Sequence, residues 1–288
     1  MRVIILGASG LIGHSLYREL GSQFETFGTL HYHKKSYGDH RLFNNSNIIE
    51  NIDISDFQVL CGVLREINPD VIINCIGITK RKKEIDNAAH ALYINSLFPH
   101  KLAEWAEVNN KRLIHLSTDC VFDGKTGNYN EKSLTTAEDI YGRTKAFGEV
   151  DYNHTLTIRS SFIGRELFSK TELLEWFLSQ KGPSIKGFTK ELYSGVSTKF
   201  LSKIVVEIIH KYPNLFGIKQ LAIEEPISKF DLLCLARNAF KLDIEIIPDE
   251  SFELKPTLNG EKLKDELDYV VPTWERMMND LANDPFKY

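Results

Sequence analysis

Val3-Ile4-Ile5-Leu6-Gly7-Ala8-Ser9-Gly10-Leu11-Ile12-Gly13 is the stretch on which the fold turns. Its apolar opening reads as a buried strand, and apolar residues at helical spacing follow over 11–20. Between strand and helix stand Gly7, Gly10 and Gly13. Glycines at such points permit a tight turn, close approach of the backbone to a pyrophosphate, and close packing of helix on strand. The helix N-terminus then turns free N–H groups and a positive dipole end toward the phosphates. Glycines alone are a weak signal; a strand before them and a helix after them supply the context. The plain alternative is a glycine-rich turn without a ligand. Gly7, Ser9, Gly10, Leu11, Ile12 and Gly13 are the expected dinucleotide contacts.

The same alternation runs through the first 160 residues. Strands are expected over 25–30, at a shorter segment ending near Ile52 to Ile54, over 70–76 after the turn Asn68-Pro69, over 112–117 and over 155–159. Helical periodicity fills 57–67, 88–109 and 139–152. Such alternation predicts an α/β fold, a doubly wound Rossmann-like parallel sheet with crossover helices over 1–163. After Gly164 the pattern changes, with turn residues at Gly182-Pro183 and Gly187, a helix over 199–210, a strand over 220–223 and two further helices. This part, 164–288, is expected to be a smaller, mainly substrate-binding lobe, with its strand near 220–223 available to the sheet.

Composition excludes several classes of protein. The 288 residues carry 35 Lys and Arg against 39 Asp and Glu, a formal charge of -4. A nucleic-acid protein would need a basic excess for phosphate contacts. Cys61, Cys75, Cys120 and Cys234 are scattered without C-x-x-C or zinc spacing, as expected of thiols in a reducing cytoplasm. The apolar run at the N-terminus is short and glycine-interrupted, unlike a signal peptide. No run approaches the ~18–20 apolar residues of a membrane span. The nine histidines show no H-E-x-x-H or similar metal spacing. Expected partners are therefore a small-molecule substrate, with a homodimer left open.

The second strand ends in Thr29-Leu30-His31-Tyr32-His33-Lys34-Lys35, with no carboxylate before Asp39. A carboxylate there would bind a ribose 2′-hydroxyl, whereas cations would accept a 2′-phosphate. NADP(H) is preferred on this reading, with His31 and Lys34 as contacts and NAD(H) as the alternative. The plain reading of Lys34 and Lys35 is a solvated loop.

Tyr141-Gly142-Arg143-Thr144-Lys145 places a phenol and an ammonium one helical turn apart on the same face. Reducing a ketone needs a proton for the developing alkoxide, and a phenol can give it. Its ordinary pKa near 10 makes it reluctant, and a neighbouring ammonium favours the phenolate. Alone, Y-x-x-x-K is common on helix surfaces. Upstream, however, Leu116-Ser117-Thr118-Asp119-Cys120-Val121-Phe122-Asp123-Gly124 emerges at the carboxyl end of a strand, where open parallel sheets bind ligands. Thr118 there can hold a carbonyl oxygen beside the phenol; otherwise Thr118 and Asp119 only order a turn.

The spacing G-x-x-G-x-x-G resembles the extended short-chain dehydrogenase/reductases. S-T-D-x-V-F-D-G followed by Y-G-x-T-K-x-x-G-E is similar to the dTDP-4-dehydrorhamnose reductase family of sugar-nucleotide reductases. The likeness runs nearly the full chain, through Asn74, Asn95, Arg159-Ser160-Ser161, Leu258-Asn259 and Pro272-Thr273-Trp274-Glu275. It implies reduction of the keto group, at C4, of a 6-deoxy-hexose on a nucleoside diphosphate, in deoxysugar and lipopolysaccharide precursor synthesis. Thr118, Tyr141 and Lys145 would be catalytic, with Tyr141 and Lys145 also touching the cofactor. The resemblance puts Asp53, with Ile54, at the adenine, although Asp53 also reads as a helix N-cap. Cys75, Ile76 and Gly77 would line the cofactor. Thr118, Asp119, Val121, Phe122, Ser161, Phe162 and Ser194 would line the sugar site, the last within the pocket-lining stretch Tyr193-Ser194-Gly195-Val196-Ser197-Thr198.

Departures concern the sugar more than the chemistry. Cys120 stands where the family often has Tyr, Phe162 where Trp is common, and Ala137 where Pro usually precedes the Tyr helix. Thr135 with Glu138 would supply a capping box instead. Lys80-Arg81-Lys82-Lys83 reads either as a site rim for a diphosphate or as a solvated charge run. A dehydratase would need a Glu at Cys120. The remaining alternatives are an epimerase of the same fold and a non-catalytic NADP-binding subunit, as in the similar beta subunit of methionine adenosyltransferase.

Overall fold

Val3, Ile4, Ile5 and Leu6 have no exposed surface. Their strand, β1 (Arg2–Leu6), therefore lies inside a sheet covered on both faces. The computed structural model describes residues 1–38 and 40–288; Asp39 lies outside the described residues. After β1 come α1 (Leu11–Leu20), β2 (Glu25–Thr29), β3 (Ile48–Ile49), α2 (Phe57–Ile67) and β4 (Val71–Asn74). Next are α3 (Ala88–Leu92), α4 (Phe98–Val108), β5 (Arg112–Ser117), α5 (Ile140–Phe147), β6 (Thr155–Arg159) and β7 (Phe162–Ile163). The rest comprises α6 (Leu173–Leu178), β8 (Ser184–Tyr193), β9 (Val196–Ser197), α7 (Thr198–Lys211), β10 (Gly217–Gln220), β11 (Ile227–Ser228), α8 (Lys229–Phe240), β12 (Glu245–Leu254), α9 (Glu261–Leu267) and α10 (Trp274–Ala282).

Seven strands pair in the order β10-β6-β5-β4-β1-β2-β3, every pair parallel. This is the doubly wound Rossmann order with one strand added beyond β6. Side chains alternate across it. Val3, Ile5, Ile73, Ile114 and Ile158 face α1 and α7 through Leu16, Leu20, Leu201 and Ile204. Ile4, Leu6, Ile72 and Leu113 face α2 and α4 through Leu60, Leu64, Phe98 and Leu102. Among the described residues no helix is long and apolar enough to cross a membrane.

Several expectations need correction. The third strand ends at Ile49 rather than near Ile52 to Ile54, because Asn51 takes a left-handed conformation (φ 59°) and turns the chain out of the sheet. The strand returned by the second half is Gly217–Gln220, pairing with β6, rather than 220–223. Asp139, not the Thr135–Glu138 box, caps α5, its carboxylate accepting the Gly142 N–H at 2.7 Å. Nor is Asp53 a helix cap; that position belongs to Asp56, which accepts from Gln58 and Val59 N–H. A second sheet, β11-β8-β12, was not foreseen.

The helical segment 88–108 is interrupted by a π-turn at Tyr93–Leu97. Pro99 has no N–H to offer the Asn95 carbonyl four residues earlier. Gly148 packs against that carbonyl so closely that a Cβ would stand 1.8 Å from it. α4 is thereby locked to the end of α5.

Candidate active site

The glycine turn, the second and third strand ends, and the segments after β4 and β5 border one cleft of about 970 Å³ at the carboxyl edge of the sheet. Gly7 takes φ +84°, and a Cβ on Gly13 would lie 2.1 Å from the Gly7 carbonyl oxygen. No other residue fits that contact. The turn is pinned to β2, with Gly7 N–H donating to Thr29 Oγ1 (3.1 Å) and Ala8 N–H to Thr29 O (2.9 Å). Gly10 begins α1 without a side-chain cap, leaving the first-turn amides and the helix's positive end to an anion. Gly7, Ser9, Gly10, Leu11 and Ile12 line the cleft. Gly13 lies beneath the turn, where its role is packing.

Farther along, His31, Asp53, Ile54, Cys75, Ile76 and Gly77 also line the cleft. Asp53 accepts Ser55 N–H at 2.9 Å, a bond that holds its carboxyl below the usual range. Lys34 does not line the cleft. Its Nζ is 3.6 Å from Glu50 Oε1, and its backbone N–H donates to Glu50 Oε2 at 2.7 Å. Tyr32 and Tyr37 line this end in its place.

Thr118, Tyr141 and Lys145 border the same cleft. Lys145 is buried on α5, with Nζ donating to Leu116 O at 2.7 Å and lying 3.5 Å from His115 Nε2. Asn74 Nδ2 donates to the other ring nitrogen at 3.1 Å, while its Oδ1 accepts Ile76 N–H. Burial pulls the Lys145 ammonium down to about 8, against the opposing influence of Glu149 and Cys75. The Tyr141 phenol stands above its ordinary value, not below it. Burial is the largest cause, Cys120, Asp119 and Glu172 add to it, and the Thr118 hydroxyl opposes. Lys145 Nζ is bonded to Leu116 O, and burial dominates the phenol.

Thr118 Oγ1 accepts Cys120 N–H (3.1 Å) and donates to Asp119 Oδ1 (3.1 Å), while Ser161 Oγ donates to Asp119 Oδ2 (2.7 Å). Asp119 thus orients the hydroxyls of two strand ends. Asn95 holds the wall behind them, bonding both polar backbone atoms of Ile78 and donating to Thr144 Oγ1. Phe122, Ser161 and Phe162 line the cleft; Val121 and Ser194 do not. Val121 is fully buried in a small core with Tyr129 and Leu258, and Ser194 Oγ is occupied by Leu258 N–H at 2.9 Å. The cationic run divides, with Lys80, Arg81 and Lys82 on the cleft and Lys83 turned away. Lys80 Nζ is 3.9 Å from Cys120 Sγ, and Arg81 bonds Thr171 O across the opening.

Glu166, Glu172 and Tyr193 also line the cleft. Glu166 and Glu172 sit in an irregular segment between β7 and α6, where no periodicity or motif singles them out.

The profile of the family described as RmlD substrate binding domain matches residues 1–284. The chain belongs to that family. The resemblance to dTDP-4-dehydrorhamnose reductases drawn from the motifs is thereby borne out. This RmlD family member is 34% identical over 152 residues to a probable dTDP-4,6-dihydroxy-2-methyloxan-3-one 4-ketoreductase of Streptomyces antibioticus, a match covering 52% of the chain and 45% of the relative. The chain thus spans about half the length of that curated relative. It is 24% identical over 256 residues to methionine adenosyltransferase 2 subunit beta of Xenopus tropicalis, covering 84% of the chain and 72% of the relative. Among solved structures it resembles dTDP-4-dehydrorhamnose reductase from Bacillus anthracis in complex with NADP, with TM-score 0.80, 20% identity, and coverage of 97% of this chain and 98% of that one. At that identity the likeness speaks to the fold.

Proposed function

We propose that this protein uses NADPH to reduce the C4 keto group of a nucleoside diphosphate 6-deoxy-hexose, a step in forming deoxysugar precursors of polysaccharide such as lipopolysaccharide. One observation carries the proposal: Thr118, Tyr141 and Lys145 border the same cleft as the glycine turn at Gly7 to Gly13. The cradle suits a dinucleotide, since Gly13 brings backbone against backbone and α1 offers uncapped amides. Gly7, Ser9, Gly10, Leu11 and Ile12 would hold the pyrophosphate, with Asp53 at the adenine. Among the described residues at 29–37, those lining the cleft are Thr29, His31, Tyr32 and Tyr37, none of them acidic, which supports NADP(H) over NAD(H).

When bound, the nicotinamide supplies hydride to the carbonyl carbon. Thr118 positions the carbonyl oxygen and Tyr141 hands its proton to that oxygen as charge develops. A phenol held above its ordinary value stays protonated at neutral pH, as an acid must. Lys145 anchors α5 to the sheet through Leu116 O and offers its remaining protons toward the cofactor ribose. Cys120, pushed up to about 12 by burial, offers no carboxylate-like base, which counts against dehydration.

NADPH consumption against dTDP-, UDP- and GDP-linked 4-keto-6-deoxy sugars tests the proposal. Tyr141→Phe is expected to abolish turnover while keeping most cofactor affinity; near-normal activity would refute the acid assignment. The likeness to methionine adenosyltransferase 2 subunit beta keeps a second reading, a non-catalytic NADP-binding subunit. That reading predicts NADPH binding with no consumption on any sugar of the panel.

A further inference from the structure

His115 on β5 is buried beneath the cleft and takes no part in the steps above. Asn74 at the end of β4 and His115 have no exposed surface, and Lys145 on α5 is buried with them. Asn74 Nδ2 is 3.1 Å from His115 Nδ1, and His115 Nε2 is 3.5 Å from Lys145 Nζ. Nζ also approaches the cleft wall, since a Cβ built on Gly77 would lie 4.0 Å from it.

A backbone amide decides where the protons of this line stand. Ile76 N–H can only donate, and it donates to Asn74 Oδ1 at 3.1 Å. The Asn74 amide is thereby oriented with Nδ2, a donor, toward His115 Nδ1. That ring nitrogen must accept, which leaves the proton of a neutral imidazole on Nε2. Burial first, then the charges of Lys145 and His100, holds the ring well below its ordinary value and so neutral. Nε2–H therefore faces Lys145 Nζ. An ammonium has three donors and no lone pair, so it meets the ring donor against donor. It spends one proton on Leu116 O at 2.7 Å and none on the ring, which leaves two for the cleft. The uncharged amine, by contrast, can accept from Nε2–H.

We propose that His115 is a positioning residue: held as its Nε2–H tautomer by Asn74, it takes no proton from Lys145, keeps two ammonium protons for the cofactor and eases loss of the charge as pH rises. For catalysis this rests on the reductase reading, in which Lys145 meets the cofactor ribose. The other titratable groups around the pair are Tyr141 one turn earlier on α5, Glu149 beyond α5, Cys75 after β4 and His100 on α4. Glu149 is itself bonded by Arg159 and Ser117.

Nitrogen-15 resonances of the labelled protein read the tautomer directly, with His115 assigned by the signals lost in His115→Phe. A bare Nδ1 beside a protonated Nε2 is expected across neutral pH. A proton on Nδ1, or a charged ring at pH 7, would overturn the proposal. Asn74→Asp keeps an acceptor for Ile76 N–H and turns a second acceptor toward Nδ1. The ring proton should then move to Nδ1, and Nε2 should accept from Lys145. The Lys145 midpoint, followed by the Cε signal of carbon-13 lysine, should rise by about one pH unit or more. NADPH should also bind several-fold more weakly. The same substitution in the His115→Phe background adds the charge without the ring, and should move both readings only a fraction as far. Equal changes in the two backgrounds would sink the idea, because charge alone would then account for them. Where NADPH is consumed, the alkaline limb of kcat/KM should follow the midpoint. A shifted midpoint with no consumption on any sugar defeats the reductase reading and leaves the His115 assignment standing.

Discussion

Lys145 carries its ammonium where burial favours the neutral amine, and pH therefore enters both chemistry and stability through one atom. Its value falls from 10.5 to about 8 in the folded protein. As pH rises through about 8 the charge is lost, so kcat/KM should decline on the alkaline side, with the limb absent from Lys145→Met. The linkage to folding has the opposite sense. The folded value lies below the unfolded one, so the cost of burying the charge is full below about 8 and gone above 10.5. Lys145→Met should therefore unfold about 1–3 kcal/mol later at pH 7, a gain that fades by pH 10 in urea titrations. Equal gains at both values would contradict a buried ammonium. Lys145 and Tyr141 were singled out by their spacing, and both border the cleft. Their electrostatics were not, since the phenol's raised value depends first on burial and then on Cys120, Asp119 and Glu172, and the lysine's partner Leu116 O lies 29 residues away in sequence.

At the scale of elements, the helix bearing Tyr141, the proposed acid, depends on the residue just before it. Asp139 caps α5, and Asp139→Ala should cost about 1 kcal/mol of stability, whereas Asp139→Ser should cost little. Because Tyr141 lies two residues beyond the cap, activity should fall with the alanine variant more than stability alone explains. Asp56 and Asp53 offer a paired comparison. Asp56→Ala should lower the melting temperature and leave NADPH affinity unchanged, while Asp53→Ala should do the reverse. Calorimetric titration beside thermal unfolding checks both. The sequence pattern was ambiguous at these points for a physical reason. Thr135 and Glu138 satisfy the spacing of a capping box, but the chain begins its helical turn four residues after Thr135, and Asp139 reaches the free amide first. Strands buried on both faces, such as β1 and β5, were legible as apolar runs. β12 was not, since Pro248 and four acidic residues at 245, 249, 250 and 253 disguise it. Its place at the edge of the small sheet explains why proline and charge are tolerated there.

Across the whole molecule, one buried ion pair ties the sheet to the segment behind the active site. Arg159 on β6 bonds Glu149, which follows α5, with Nη2 to Oε2 at 2.6 Å and both side chains 4% exposed. Ser117 Oγ donates to the same carboxylate at 2.7 Å. Removing one member leaves the other charge buried, so Arg159→Leu should destabilise by about 3–5 kcal/mol, and Glu149→Gln, which keeps acceptor and shape, by less. Denaturant midpoints at pH 7 measure the difference.

β10 adds a consequence for how the chain is made. The strand that covers β6 emerges during translation only after β7 through α7 have been synthesised. Until then the backbone edge of β6 is open to any other chain that can pair with it. A nascent polypeptide stalled near residue 163 would thus expose a sticky border, and a fragment ending there should precipitate or recruit chaperones during expression rather than accumulate as a monomer.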